Sequence, residues 1–146
     1  MTTQSGSGPG EVFHATTVAI NGEGVLILGP SGSGKSALAL ELMALGAVLV
    51  ADDHSRVTAR NGQLIAHAPP RMQGVIEARH VGLIRVHHVE TVPLRLAVDM
   101  GQVEPERLPQ PKSLTISGTA LDLLWRVDAP HFPSAIWQLM NGEAVR

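Results

Sequence analysis

The chain has 146 residues and no cysteine; 44% of its residues are hydrophobic, 16% are charged, and the formal net charge is -2. This length and composition suit one compact domain, and the charge gives no general attraction to nucleic acid or to an anionic membrane. Without cysteine there is no disulfide framework, thiolate zinc site or cysteine nucleophile, and no apolar run could span a membrane, so we expect a cytoplasmic protein without nucleic-acid or membrane partners.

The N-terminal residues 1–11 are mostly small, polar and glycine-rich. Such a stretch cannot bury enough apolar surface to order itself, so we predict a flexible leader. Residues 12–146 are then expected to form a single domain.

Residues 12–51 predict the order strand, turn, strand, loop, helix, strand. A strand over 12–20 turns at 21–24 into an apolar run at 25–28, which suits a central strand buried on both faces. Beyond a glycine-rich loop, Leu38, Leu42 and Leu45 recur at helical spacing, and Gly46 is a typical helix end. The apolar run 47–51 should lie beside the strand that feeds the loop, because parallel strands need a crossover helix.

The rest of the chain carries weaker signals. Asn61 and Gly62 lie between the segments 57–60 and 63–66 and predict a hairpin, and residues 83–86 and 94–98 are typical of further strands. Three prolines within 105–111 indicate a loop, and residues 134–140 predict a closing helix with Trp137 on its buried side. The predicted fold class is α/β with a substantial antiparallel share.

The segment GPSGSGKS matches the phosphate-binding motif G-x-x-x-x-G-K-[ST] at every fixed position. The glycines let backbone amides turn towards phosphate oxygens, Lys35 would neutralise the outer phosphates, and Ser36 would place its hydroxyl on Mg²⁺. The alternative is a glycine-serine linker with a chance GKS, against which the flanking strand and helix argue. The predicted nucleotide-binding residues are Gly29, Pro30, Ser31, Gly32, Ser33, Gly34, Lys35 and Ser36.

Asp52 and Asp53 directly follow the apolar run 47–51. Ligands of open α/β sheets bind at the C-terminal ends of strands, so these carboxylates are expected to face the terminal phosphate. Phosphoryl transfer needs a carboxylate that accepts the proton of the attacking hydroxyl and a group that helps to hold the metal, and two adjacent acids could divide these tasks. Which of the two is the base stays open, and an acidic turn in a surface loop is the alternative.

Asp99 follows another apolar run and is a weaker candidate for a metal-side carboxylate, because Arg95 interrupts its strand. His80, His87 and His88 lack a known metal-ligand spacing. We expect them to be surface or hydrogen-bonded histidines.

Three blocks of the sequence together resemble the bacterial HPr kinase/phosphorylase family, in its C-terminal catalytic domain. The first is VFHATTVAINGEGVLILGPSGSGKS, with His14 upstream of the loop, and the second is LVADD at 49–53. The third is EARHVGLIRV at 77–86, of the type E-x-R-x-x-G-[IL]-I-x-V. The blocks occur in the family's order.

The resemblance implies a Mg²⁺-dependent serine protein kinase that transfers a phosphoryl group from ATP to an HPr-like phosphocarrier, in the regulation of the phosphotransferase system. It also implies a mixed sheet like that of phosphoenolpyruvate carboxykinase and a homo-oligomer, usually a hexamer. The positions that match the family's catalytic residues are His14, Lys35, Asp52 and Asp53, and those that match its magnesium ligands are Ser36 and Glu77.

The sequence departs from the family near its C-terminus. Family members with phosphorylase activity have a loop of the type P-x-R-P-G-R-N in this region. Residues 123–140 of this chain read LLWRVDAPHFPSAIWQLM, in which Arg126 is the one residue that could correspond to an arginine of that loop. This departure makes phosphorylase activity doubtful. Two other functions stay open: a small-molecule kinase, although the arginines are scattered rather than clustered in a lid, and a nucleotide-sensing regulatory module without turnover.

Overall fold

The computed structural model describes residues 10–145, which form eleven strands and two helices. In chain order these are β1 (Glu11–Phe13), β2 (Ala15–Ile20), β3 (Glu23–Leu28), α1 (Lys35–Leu45), β4 (Val48–Ala51), β5 (Ser55–Arg60), β6 (Gln63–His67), β7 (Val75–Ala78), β8 (Gly82–Arg85), β9 (Thr91–Val103), β10 (Lys112–Ile116), β11 (Thr119–Arg126) and α2 (Phe132–Asn141). Most of the predicted leader, residues 1–9, lies outside the described residues, and Glu11 begins β1.

Nine of these strands form one mixed sheet in the order β1-β5-β6-β9-β3-β2-β4, with β11 beside β9 and β10 beside β11. Strands β7 and β8 form a separate hairpin. The pairs of β9 with β3 and with β11 are parallel, and the other pairs in the described sheet are antiparallel. The large antiparallel share predicted from the turn signals is therefore present.

The strand predicted over residues 12–20 is two strands, because the chain bends at His14. β1 pairs with β5, whereas β2 pairs with β3 on one side and with β4 on the other. The bend leaves the His14 side chain 67% exposed at the edge where the phosphate-binding loop begins.

The prediction that residues 47–51 lie beside the strand feeding the loop was wrong. β2 lies between β3 and β4 and is antiparallel to both, so β3 and β4 point in the same direction without being neighbours. Their C-terminal ends still reach the same edge of the sheet, which brings the acids after β4 to the loop after β3.

Both helices cover one face of the central strands. Val18 and Ile20 of β2 face the cluster that includes Leu38, Leu42 of α1 and Ile136 of α2, while alternate β2 residues join a second core cluster on the opposite face. This double burial explains why β2 and β3 are almost continuously buried. Leu45, by contrast, is 43% exposed at the end of α1.

Helix α2 is fixed by its packing and by one arginine. Trp137 is half-buried and its ring packs on Gly46, where a Cβ atom would lie 2.9 Å from the indole. Arg95 of β9 donates hydrogen bonds to the carbonyl oxygens of Leu139, Met140 and Gly142 at distances of 2.8 to 3.2 Å. The arginine that interrupts the apolar run of β9 thus satisfies the free carbonyls at the end of a helix.

Candidate active site

The loop between β3 and α1 is wrapped tightly at its glycines. Gly29 has a φ of 146° and Gly34 a φ of 99°, both in the region that favours glycine. A Cβ atom on Gly29 would lie 2.5 Å from Ser33 Oγ, so a side chain there would fill the loop. The amide of Ser33 donates to the carbonyl of Pro30 at 3.1 Å, which closes the turn.

Lys35 lies inside this loop. Its side chain is only 5% exposed, and its ammonium donates to the carbonyl oxygens of Gly29 at 2.8 Å and Pro30 at 3.2 Å. The same nitrogen lies 3.8 Å from Asp53 Oδ1. The described loop therefore holds a cation at its centre, next to one of the two predicted acids.

Asp52 is held by donors from three other segments. Its Oδ1 accepts hydrogen bonds from Ser36 Oγ at 2.8 Å and from Thr16 Oγ1 at 3.1 Å, and its Oδ2 accepts one from the amide of Glu77 at 3.0 Å. Both oxygens are thus occupied, and the carboxylate joins β2, α1 and β7. This arrangement suits a residue that positions the hydroxyl of Ser36.

Asp53 has a different environment. Its side chain is 48% exposed, and Oδ1 lies 3.4 Å from His14 Nδ1, while Oδ2 lies 3.9 Å from His54 Nδ1. The residue has a φ of 67°, which Asp tolerates better than most residues, and its amide donates to Thr16 Oγ1 at 3.1 Å. Asp53 is therefore the acid of the pair whose carboxylate remains accessible from solvent.

A cavity of about 480 Å³ lies over these groups. Loop residues 34–36, both acids and Glu77 line it, together with Ala78, Arg79 and Val81 of the β7–β8 hairpin. The exposed Glu77 side chain is in β7. The structure therefore brings five of the eight predicted loop residues to one cavity with Asp52, Asp53 and Glu77, and His14 reaches its edge through Asp53.

A second cavity, of about 320 Å³, lies beside the first. Ser33, Gly34 and Ala37 line it on one side, and Arg126 at the end of β11, residues 127–129, and Phe132 and Pro133 of α2 line it on the other. Ser33 Oγ is buried and has no hydrogen-bond partner among residues 10–145. A buried hydroxyl without a partner is costly, so this atom is suited to meet a polar group of a ligand.

Three other residues singled out in the sequence do not line the cavity over the acids. Asp99 is in β9, does not line the cavity over Asp52, and accepts a hydrogen bond from the amide of Gly101 at 2.8 Å. Arg126 donates to the carbonyl of Met100 at 2.9 Å and lines the second cavity. His80 is exposed in the turn between β7 and β8.

Two residues of the site were not found by sequence reasoning. Thr16 is fully buried and its hydroxyl connects Asp52 with the amide of Asp53, a contact that depends on the pairing of β2 with β4. His54 directly follows the acidic pair, and this adjacency was a signal that could have found it.

Comparison with known proteins identifies the family of the chain. The family model described as the HPr serine kinase C-terminal domain matches residues 8–93. The chain is similar to HPr kinase/phosphorylase 1 of Oceanobacillus iheyensis, with 44% identity over 79 residues, 53% of this chain and 26% of that protein. It is also similar to HPr kinase/phosphorylase of Bordetella petrii, with 42% identity over 84 residues, 56% of this chain and 27% of that protein. The chain thus spans about a quarter of the length of these curated relatives.

Among solved structures, the chain is similar to the Hpr(Ser) kinase/phosphatase from Coxiella burnetii. The TM-score is 0.75 at 27% identity, and the match covers 90% of this chain and 94% of the other. This match agrees with the mixed α/β fold described above. Within residues 10–145, neither helix has the length and apolar character needed to cross a membrane.

Proposed function

The chain belongs to the HPr serine kinase C-terminal domain family, and from this premise we propose that it is a Mg²⁺-dependent kinase. It would transfer the terminal phosphoryl group of ATP to a serine hydroxyl of an HPr-like phosphocarrier protein. The observation that carries the proposal is the division of labour between the two acids: Asp52 holds the Ser36 hydroxyl, whereas Asp53 is open to solvent beside Lys35.

The loop fits the phosphates of a nucleotide on two structural grounds. A Cβ atom at Gly29 would fill the space inside it, and Ser33 Oγ is a buried donor without a partner among the described residues. Lys35 would bind the transferred group from inside the loop, and backbone amides at the start of α1 would bind its neighbours. The second cavity, lined by Ser33 and by residues before α2, is where we place the nucleoside.

The donors beside the loop also fit Mg²⁺, which prefers hydroxyl and carboxylate oxygens. Ser36, Asp52 and Glu77 line one cavity, and we assign the metal-holding role to the Ser36 hydroxyl and the exposed Glu77 carboxylate, with Asp52 orienting Ser36. Bound there, Mg²⁺ would neutralise charge on the transferred group. We also propose that the mixed sheet and its phosphate-binding loop resemble those of phosphoenolpyruvate carboxykinase.

Asp53 is the proposed general base. The incoming serine hydroxyl gives its proton to the Asp53 carboxylate, its oxygen forms the new bond to phosphorus, and the bond to the nucleoside diphosphate breaks. Lys35 and His14 lie within 4 Å of Oδ1 and would orient this carboxylate. The cavity over Asp53, bordered by Arg79 and Val81, would admit a loop of the carrier.

We propose that the reaction runs in the kinase direction, without phosphorylase activity. Arg126 stands alone where the family's phosphorylase loop has two arginines, and it donates to the Met100 carbonyl and forms an ion pair with Asp128. Incubation of the phosphorylated carrier with inorganic phosphate should release little pyrophosphate. Release as fast as the forward reaction would contradict this part of the proposal.

The direct test incubates the purified chain with ATP, Mg²⁺ and its cognate carrier, and locates the modified residue by mass spectrometry. We expect one phosphoserine on the carrier and none on a carrier whose target serine is replaced by alanine. Rapid phosphorylation of a small metabolite without the carrier, or nucleotide binding without any product, would contradict the proposal.

The two lysines of the chain supply a matched pair of variants. Lys35→Met should reduce phosphoryl transfer by about 10²–10³-fold, because it removes the cation that stabilises the transferred group. Lys112→Met removes the same charge at a site where the ammonium contacts Glu104 and Trp125, and it should retain near-normal transfer. Equal rates for the two variants would contradict the role given to the loop.

A further inference from the structure

We propose that His14, Asp53 and His54 form a binding site for Zn²⁺, separate from the Mg²⁺ position at Ser36. One ligand atom from each of the three side chains lies within 4.8 Å of the other two. Two imidazoles and one carboxylate are a common donor set for zinc in sites that keep a fourth position open.

The distances between the donor atoms approach those of a zinc site. Bonds of the usual length in a tetrahedral site place ligand atoms about 3.3 Å apart. His14 Nδ1 lies 3.4 Å from Asp53 Oδ1, and His54 Nδ1 lies 3.9 Å from Oδ2. All three side chains are about half exposed or more, so small rotations can complete the geometry.

The backbone that carries these side chains is held in place. His14 lies between Phe13, which pairs with Ser55, and Ala15, which pairs with Leu28. The amide of Asp53 donates to Thr16 Oγ1, and the amide of His54 donates to the Asp52 carbonyl at 2.8 Å. Metal binding therefore requires side-chain movement only, which keeps its entropic cost low.

The surroundings favour zinc over magnesium. The Lys35 ammonium, 3.8 Å from Asp53 Oδ1, repels any cation that is held by charge alone. Zn²⁺ gains strong bonds from imidazole nitrogen, whereas Mg²⁺ prefers oxygen donors and keeps its waters. The two histidines therefore select the softer ion.

Zinc at this position would compete with the proton for Asp53. If Asp53 is the base of the proposed kinase, zinc occupancy lowers phosphoryl transfer; this consequence depends on the proposed function, while the binding itself does not. Zinc binding is therefore measured without ATP or carrier, so that failure of one proposal is distinguishable from failure of the other.

The test is isothermal titration of Zn²⁺ into the purified chain and three variants. We expect one ion per chain, and His14→Ala and His54→Ala should each weaken binding at least tenfold, since even the loss of an outer partner of a metal ligand costs about 10–100-fold in affinity. His131→Ala is the matched control, because His131 is exposed at the start of α2 and its side chain makes no capping hydrogen bond.

Co²⁺ supplies a second readout, because its visible absorption reports nitrogen and oxygen ligands directly. The spectrum should appear with the unchanged chain and with His131→Ala, and it should be lost with His54→Ala. Equal zinc affinity in all four proteins, or displacement of Zn²⁺ by an equal concentration of Mg²⁺, would overturn the proposal.

Discussion

Replacing each acid of the pair by its amide should separate a positioning role from a catalytic one. Asp52 accepts three hydrogen bonds, from Ser36 Oγ, Thr16 Oγ1 and the Glu77 amide. Hydrogen bonds to a charged group contribute about 1.5–3 kcal/mol and neutral ones about 0.5–1.5 kcal/mol, so Asp52→Asn loses about 1 kcal/mol at each. Because such losses are not fully additive, we expect the free energy of unfolding to fall by about 2–3 kcal/mol.

Asp53→Asn should change the free energy of unfolding by less than about 1 kcal/mol, because the Asp53 side chain is half exposed and its contacts with His14 and Lys35 are longer than typical hydrogen bonds. Asn also tolerates the left-handed backbone of this position. Loss of the base should nevertheless reduce phosphoryl transfer by about 10²–10⁴-fold.

Thermal unfolding followed by circular dichroism and carrier phosphorylation measure the two effects on the same preparations. For a chain of this size, the loss at Asp52 corresponds to a decrease of about 5–10 °C in Tm. The reasoning is refuted if Asp53→Asn lowers Tm more than Asp52→Asn, or if Asp53→Asn still phosphorylates the carrier at the unchanged rate.

Three further changes test other parts of the structure. Glu77→Gln should raise the Mg²⁺ concentration needed for half-maximal transfer, while Tm stays constant because Glu77 reaches Asp52 through its backbone amide; an unchanged Mg²⁺ dependence would contradict its assignment. Arg95→Met should lower the free energy of unfolding by about 2–4 kcal/mol in a urea titration, because it removes the donors to the end of α2, and a loss below 0.5 kcal/mol would mean that these bonds contribute little. Burial, and secondarily the nearby Arg56 guanidinium, lowers the pKa of His67 from its ordinary value of 6.5. Below pH 6.5 the unfolded chain therefore binds more protons at His67 than the folded chain does. The contribution of this residue to the free energy of unfolding is fully present above pH 6.5 and decreases as the pH falls below it. Urea titrations at several pH values should show this decrease for the unchanged chain and not for His67→Gln.

Local signals in the sequence predicted the loop and its flanking elements. The motif from Gly29 to Ser36, the helix ending at Gly46, and the hairpin at Asn61 and Gly62 each depend on a few consecutive residues, and each lies where it was predicted. The loop and the acids also follow strands that end at one edge of the sheet, which the apolar runs indicated.

Pairing between distant strands was not accessible in the same way. No local pattern shows that β2 lies between β3 and β4, and the contact of Thr16 with Asp52 follows from that arrangement. The hairpin of β10 and β11 was missed although Ser117 and Gly118 form its turn. The roles of the two acids could not be separated either, since adjacent carboxylates differ only in what the fold places around them.

Strand β9 joins the two halves of the large sheet. Its first residues pair with β6, and its later residues pair with β3 and with β11, so the strands on both sides of it are joined through one continuous backbone. A proline introduced in its centre, for example at Ala97, would remove ladder bonds that the two halves share. Because β9 joins the two halves of the sheet, neither half is expected to melt while the other stays intact. Such a proline should therefore cause the anion-binding loop and the remote β5–β6 ribbon to be lost together.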